Sequence, residues 1–469
     1  MKILVYVEPW IERGFAKWKT IWLVDVILPT LKSMIKSNKN IKFETVFLVG
    51  DAQSVNTKDI LDIDNSRVEV ISQEELKNVS PNYLDATIKQ HFNSFTDSEM
   101  RVMVNICKKY IGDFKPDLIY SFMTHVPFLK KLFPETLVLH QEVGMISRKP
   151  YPTTYYLDPF GTFSYGYIGR FKKELLELEL DDKKRYFLQE FRKIFIDDAI
   201  KKNQYFSKEQ ILKGKTFNYL VLLPLQIDPY FSFNGYVDFK DQFDYLCYVL
   251  DNIDSKIGVI ITTHSDWDDS TKKHDVLDYI NRTYPNAILS DDFRRVRNCS
   301  QYLLDIVDAV ISISSTVAIQ ALIFNKPIFA VGNNKQLTNL CEGTDISQVA
   351  EILSKNKFKN HDALLYHLLT HYYVLNEPYI MNGKWFYNFL IKCIEKHNQK
   401  REFDFYDKID SDASLLNHYR LKNSLQENKE SKNSLIVILK LYIKTTLRFF
   451  IIKMFGLSRY EKIKKKVFK

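Results

Sequence analysis

The chain has 469 residues, 45% hydrophobic and 26% charged, the balance of a soluble globular protein too long for one core. Its five cysteines (Cys107, Cys247, Cys299, Cys341 and Cys393) are odd in number and widely spaced, with no C-x-x-C pair. That argues against a disulfide framework or a zinc site and fits a reducing compartment.

The first seven residues, MKILVYV, are apolar but stop at Glu8 and Pro9, so they read as a buried strand rather than a signal peptide. A helical stretch follows over 17–36, then strands over 43–50 (FETVFLVG) and 68–72 (VEVIS). A helix over 83–110, a strand over 116–122, a short helix after Pro127 and a strand over 136–142 (TLVLHQE) complete a first block. Short apolar runs alternating with helices predict a parallel, doubly wound sheet. A charged helical region over 170–202 leads to a second block. Its strands fall at 219–226, 257–264, 287–290, 309–314 and 327–332, with helices near 242–252, 272–283 and 345–355. Two such blocks predict an α/β protein of GT-B architecture, two Rossmann-like domains with parallel sheets and a cleft between them. The expected boundaries are 1–215 for an N-terminal acceptor domain and 216–397 for a C-terminal nucleotide-sugar domain. G-x-G-x-x-G and the P-loop motif are both lacking, which disfavours a dehydrogenase or a P-loop NTPase.

Residues 398–434 are polar and charged and read as a linker. The tail, 435–469, holds ten Lys or Arg residues against one acid, Glu461, which equals the whole net charge of +9. The near-neutral body therefore offers no basic stripe, and no nucleic-acid partner is expected. In the tail Lys440, Lys444 and Arg448 recur every fourth residue among Leu, Ile, Val and Phe. That spacing predicts a basic amphipathic helix, an anchor on an anionic membrane surface or a helix packed on the protein. No uncharged stretch is long enough to cross a bilayer.

Candidate chemistry gathers at strand ends, where open α/β sheets bind ligands. In SISSTVAIQALIFNKPIFAVG a strand ends in Ser312, Ser314, Ser315 and Thr316, a helix begins, and Lys326–Pro327 leads into the next strand. Hydroxyls beside free helix N–H groups make a phosphate site; a plain helix cap with small residues is the structural alternative. Gln226 and Asp228 lie in LLPLQIDPY, just past a buried strand, where Asp228 either faces a ligand or caps the turn at Pro229. Glu142 ends the last strand of the first block, facing the cleft or fixing a loop. Asp158 in LDPFG is a second acidic spot, and His264, His140 and His125 occupy strand-end places. The Asp268–Asp269 and Asp291–Asp292 pairs are short and turn-like, so neither metal nor other cofactor is expected.

Four segments in this order, EVG…LDPFG, LLPLQIDPY, TTHSD and SISSTVAIQALIFNKPIFAVG, resemble those of bacterial retaining β-Kdo transferases of capsule and O-antigen lipopolysaccharide assembly. The likeness covers roughly 1–395. It implies a GT-B enzyme that moves Kdo from CMP-Kdo to a glycan or glycolipid acceptor without a metal. It also implies Asp228 as nucleophile, Glu142 as the cleft carboxylate and His264 as a donor-site histidine. The serine loop, Ser312, Ser314, Ser315 and Thr316, would then hold the CMP phosphate; Gln226 and Lys326 are further residues expected at the donor site, and Asp158 and His140 at the acceptor cleft. Many capsule members carry His-Pro where this chain has His264–Ser265. The implied setting is the cytoplasmic face of the bacterial inner membrane, reached through the tail. Open alternatives are a sialyl- or UDP-sugar transferase of the same fold, a GT-B-like epimerase, and a non-catalytic scaffold of a polysaccharide assembly complex.

Overall fold

The computed structural model describes residues 1–11, 17–122, 124–202, 205–264, 274–290 and 292–420. The tail, Asp266, Asp268, Asp269 and Asp291 lie outside these residues, as does part of the polar stretch before the tail. Residues Met1–Leu416 form one compact unit.

The first sheet begins with β1 (Lys2–Val7), β2 (Glu44–Gly50), β3 (Ser66–Ile71), β4 (Leu118–Phe122), β5 (Leu137–Val143) and β6 (Thr154–Asp158). The second contains β7 (Tyr219–Pro224), β8 (Ile257–Thr262), β9 (Ala287–Ile288), β10 (Ala309–Ser312) and β11 (Ile328–Ala330). The chain then returns to the first sheet with β12 (Val374–Leu375), which pairs antiparallel with β6. Strand orders among the described residues are β12-β6-β5-β4-β1-β2-β3 and β11-β10-β7-β8-β9. The second sheet is parallel throughout, and β1–β5 of the first are parallel; β6 and β12 add an antiparallel edge to the first sheet, so the doubly wound GT-B arrangement that the alternation of strands and helices predicts holds with one mixed sheet.

Buried parallel strands are covered on both faces, which is why ILVYV and LVLLP are continuous apolar runs. One face of the first sheet packs Leu4, Tyr6, Val46, Leu48, Ile119 and Val138 against helical Met100, Met103, Ile106 and Cys107. In the second, Val221, Leu223, Val259 and Ile311 meet Tyr245, Leu246 and Val249.

Seven of the helices among the described residues are α1 (Leu28–Ser37), α2 (Tyr83–His91), α3 (Asp97–Ile111), α4 (Phe231–Asn234), α5 (Gln242–Asn252), α6 (Thr316–Ala321) and α7 (Gly383–Asn398). The single helix expected over 83–110 is two. Asn93 takes a left-handed conformation (φ 49°), and Thr96 and Glu99 form a capping box that restarts the chain as α3. The stretch after α7 is also more ordered than its polarity predicts. Phe405 and Tyr406 are buried, the Tyr406 hydroxyl donates to Leu157 O, and Tyr379 and Tyr366 donate to Asp410 and Asp412. Aromatic anchors spaced among the carboxylates hold this segment down.

Candidate functional site

Each sheet has one place where the strand order reverses, between β1 and β4 in the first and between β7 and β10 in the second. At such a switch point the connections leave in opposite directions and open a crevice at the C-terminal strand ends.

The second switch point gathers most of the sequence candidates. The Gln226 side chain accepts from Ser314 N at 3.1 Å and donates to Ser314 Oγ at 2.7 Å. Ser314 Oγ in turn donates to Ser232 O. Ser312 Oγ accepts from Ser315 N at 2.9 Å, and Ser315 caps α6 through Val317 N. Ser312 and Ser314 are thus buried and spent on the loop, while Ser315 and Thr316 stay half-buried at the start of α6. Asp228, also half-buried, accepts from Gln242 N at 2.6 Å in the first turn of α5, where the helix dipole favours negative charge. His264 lies two residues past β8, on the same sheet edge and half-buried.

Lys326 lies elsewhere. The helical segment begun by α6 runs back down the sheet, and β10 pairs Val310 with Ile328, so Lys326 precedes β11 at the opposite, N-terminal edge.

Glu142 is one residue short of the end of β5 and only 5% exposed. Its Oε1 accepts from Val143 N at 2.7 Å, and its Oε2 is buried without a hydrogen bond. Burial pushes this carboxyl up to about 8, so it is protonated at neutral pH. Three residues on, Met145 O accepts from Gln320 Nε2 of α6 at 2.8 Å, which ties the loop after Glu142 to the helix below the serines. Gly144 allows this path, since a Cβ there would lie 2.1 Å from Thr154 Oγ1.

Asp158 faces no cleft. It is fully buried, with Oδ1 accepting from Phe160 N and Gly161 N, and Oδ2 from Tyr167 N and the Tyr372 hydroxyl. Burial raises it to about 6 against these four bonds. The carboxylate is a hub that ties the loop after β6 to the segment entering β12. His140 Nδ1 lies 2.9 Å from Asp158 O, and its ring stacks on His125 with centroids 5.1 Å apart. Burial drives both rings down, to about 3 and about 4, so neither carries charge at neutral pH.

The first switch point holds groups the sequence did not single out. Glu8 follows β1 and pairs with Lys19, while Gln90 at the end of α2 bridges both strand ends. Gln90 accepts from Trp10 Nε1 at 2.7 Å and donates to Thr124 Oγ1 and His125 O. An acidic residue placed directly after a buried strand was the one local signal. Among the described residues no cluster of three His, Cys, Asp or Glu side chains has a metal-binding arrangement, and no helix is long and apolar enough to cross a membrane. A surface cavity of about 580 Å³ lined by Leu176, Glu179, Lys184 and Asn360 shares no residue with either switch point.

No protein-family model matches the chain, and no curated protein matches it. Among solved structures it is similar to the Thermosulfurimonas dismutans KpsC β-Kdo 2,7 transferase. The identity is 15% and the TM-score 0.39, over 66% of this chain and 96% of that one. It is also similar to the calicheamicin glycosyltransferase CalG4, at 12% identity and TM-score 0.32 over 78% of this chain and 94% of that chain. A third is the Methanocaldococcus jannaschii UDP-GlcNAc 2-epimerase, at 10% and 0.32 over 78% and 98%.

Proposed function

We propose that the chain is a retaining glycosyltransferase that takes Kdo from CMP-Kdo to a glycan or glycolipid acceptor. The observation that carries this reading is a pair of carboxyls with unlike surroundings. Asp228 sits on a helix N-terminus beside the serine loop, and Glu142 is desolvated on the adjoining lobe. A carboxylate held by a helix N–H and a desolvated carboxyl suit the separate roles of nucleophile and acid–base.

In this reading the CMP phosphate rests on the first turn of α6 with Ser315 and Thr316, and Gln226 holds that loop in shape. The ionised Asp228 attacks the anomeric carbon. The carbon–oxygen bond to phosphate breaks, CMP leaves with the electron pair, and a sugar ester forms on Asp228. The acceptor hydroxyl then attacks the same carbon, Glu142 in its ionised form takes the hydroxyl proton, and Asp228 leaves as carboxylate. Two inversions give retention. His264, on the same sheet edge, is proposed to contact the donor.

The basic tail supports attachment to an anionic membrane surface, on the cytoplasmic face of the inner membrane. Each Lys or Arg near such a surface contributes about 1 kcal/mol, so binding should weaken steeply with salt. Protein lacking 435–469 that still pellets with anionic vesicles at low salt would overturn that attachment.

The donor is tested by melting the protein with a panel of CMP- and UDP-sugars. CMP-Kdo alone should raise the midpoint; a shift given only by a UDP-sugar overturns the assignment. Intact-mass measurement of Glu142→Gln with donor should then show one added sugar on the peptide carrying Asp228.

A further inference from the structure

The first switch point contains a buried ionic cluster for which the transfer chemistry has no direct use. Glu8, Lys19 and His91 are 1%, 3% and 4% exposed. Lys19 Nζ lies 3.3 Å from Glu8 Oε2 and also donates to Trp10 O. His91 Nε2 lies 4.0 Å from the same Glu8 oxygen. Neither ring nitrogen of His91 makes a hydrogen bond. Burial holds the ring well below the ordinary histidine range, with Lys19, His125 and His140 acting in the same direction.

The other lobe shows what the ring does. His91 is stacked flat on Phe231, with centroids 3.5 Å apart and planes 5° from parallel. Phe231 opens α4, three residues after Asp228. Tyr230 and Phe163 pack on the same ring, and the next residue, Ser232, gives its carbonyl to Ser314 Oγ. The segment from Asp228 to Ser232 is therefore fixed at one end by α5, at the other by the serine loop, and in its middle by His91. The joint is tight: Phe92, next to His91, approaches so closely that a Cβ on Gly235 would lie 2.3 Å from its ring.

We infer that His91, with its edge turned to the Glu8–Lys19 pair, is a positioning residue that sets the Asp228 segment against the first lobe through Phe231. It touches no reacting atom. It rests on the glycosyl-transfer reading for its effect on rate, but not for its effect on the loop. A flat ring at 91 is what the stack requires, so phenylalanine should substitute for it and alanine should not.

The test compares full-length His91→Ala and His91→Phe by steady-state kinetics with a CMP-sugar donor and by hydrogen exchange over 226–234. His91→Ala should lower kcat roughly tenfold or more with donor KM within about threefold, because displacing an attacking group by about 1 Å is felt in the rate. Exchange over 226–234 should accelerate by at least about tenfold in the same variant. His91→Phe should restore both to within about threefold of the parent, since the aromatic pair is kept. A merely structural residue would lower the melting temperature and leave kcat of the folded enzyme unchanged. Unchanged kcat and exchange in folded His91→Ala, or His91→Phe as impaired as His91→Ala, overturns the inference. Should His91→Ala fail to fold, Phe231→Leu removes the stack from the other side and should give the same signature; parental kinetics and exchange there overturn it equally. Accelerated exchange in a protein whose parent transfers no CMP-sugar keeps the positioning role and overturns the donor reading alone.

Discussion

The crevices at the two switch points are built in opposite ways. Between β1 and β4 the first lobe fills its crevice with its own side chains: Glu8, Lys19, Gln90 and His91 are buried, and an ion pair sits out of water. Between β7 and β10 the second lobe leaves Gln226, Asp228, Ser315 and Thr316 half-buried, with small hydroxyls and helix starts at the edge. Buried charges interact strongly but are poor at meeting a ligand that arrives with its own water. Half-exposed groups on helix N-termini are suited to an anion. The same topology thus yields a stiff platform in one lobe and a receptive edge in the other. Glu142 stands between the two types, on the first lobe yet with one oxygen unbonded.

The sharpest way to break this division is Asp228→Asn. If the receptive edge carries the chemistry, transfer should fall by roughly 10³-fold or more, as for removal of a nucleophile. Nucleotide affinity and melting temperature should hardly change, since the amide oxygen still accepts from Gln242 N. A fully active variant would move the chemistry elsewhere.

Glu142→Gln should cost less, about 10²-fold in transfer, the lower end of what a positioned acid–base contributes. It also has a pH signature. The folded carboxyl titrates at about 8 and the reference carboxyl at 4.5, so between these values the folded state holds a proton that the unfolded state has released. The neutral form's contribution to stability is fully present below 4.5 and is lost as pH rises through about 8. The parent should therefore lose on the order of a few kcal/mol relative to the glutamine variant between pH 5 and pH 8.5. Activity should move the other way, rising with pH toward a plateau above about 8 as the base form fills. Denaturant melts and rate profiles of both proteins across this range check the two signs. Parallel stability curves would show that Glu142 is solvated.

Much of this was legible in the sequence, and the limits have physical causes. Buried parallel strands are long apolar runs, so both sheets could be read, whereas β6 hides in a Tyr-rich stretch and β12 has two residues. Strand-end reasoning placed Asp228, His264 and the serines at the C-terminal edge of the second sheet and Glu142 at that of the first, because topology alone puts the residues that end a parallel strand there. Lys326 is near the serines in sequence only, because a strand–helix–strand unit returns to the far edge before the next strand starts. Asp158 looked like a cleft acid because its partner Tyr372 is 214 positions away. Glu8, Lys19 and His91 meet through packing that no local pattern encodes.

Asp158→Asn tests the stiff side. The amide keeps one acceptor for Phe160 N and Gly161 N but turns an NH₂ toward Tyr167 N, which leaves a buried donor facing a donor. The expected loss is about 1–3 kcal/mol of stability. Once folded, the variant should keep its nucleotide affinity. Equal melting temperatures would mean that the hub is not holding the loop after β6.

The smallest effect separates two neighbouring serines. Ser314 Oγ is engaged by Gln226 Nε2 and Ser232 O, so Ser314→Ala removes a strut inside the loop. Ser315 is half-buried at the first turn of α6, and its hydroxyl makes only a long, 3.4 Å cap to Val317 N. A nucleotide phosphate at that turn would recruit the Ser315 hydroxyl at little cost to the fold. Ser315→Ala should thus weaken CMP binding about three- to tenfold, a loss of about 0.7–1.4 kcal/mol, with a melting temperature close to the parent's. Ser314→Ala should lower the melting temperature first and the affinity only as the loop loosens. Calorimetric titration with CMP and thermal melts of both variants distinguish the cases. The reverse pattern, with affinity lost at Ser314 and stability lost at Ser315, would mean that the phosphate enters the loop from the Gln226 side. The receptive edge would then lie on β7 rather than on the start of α6.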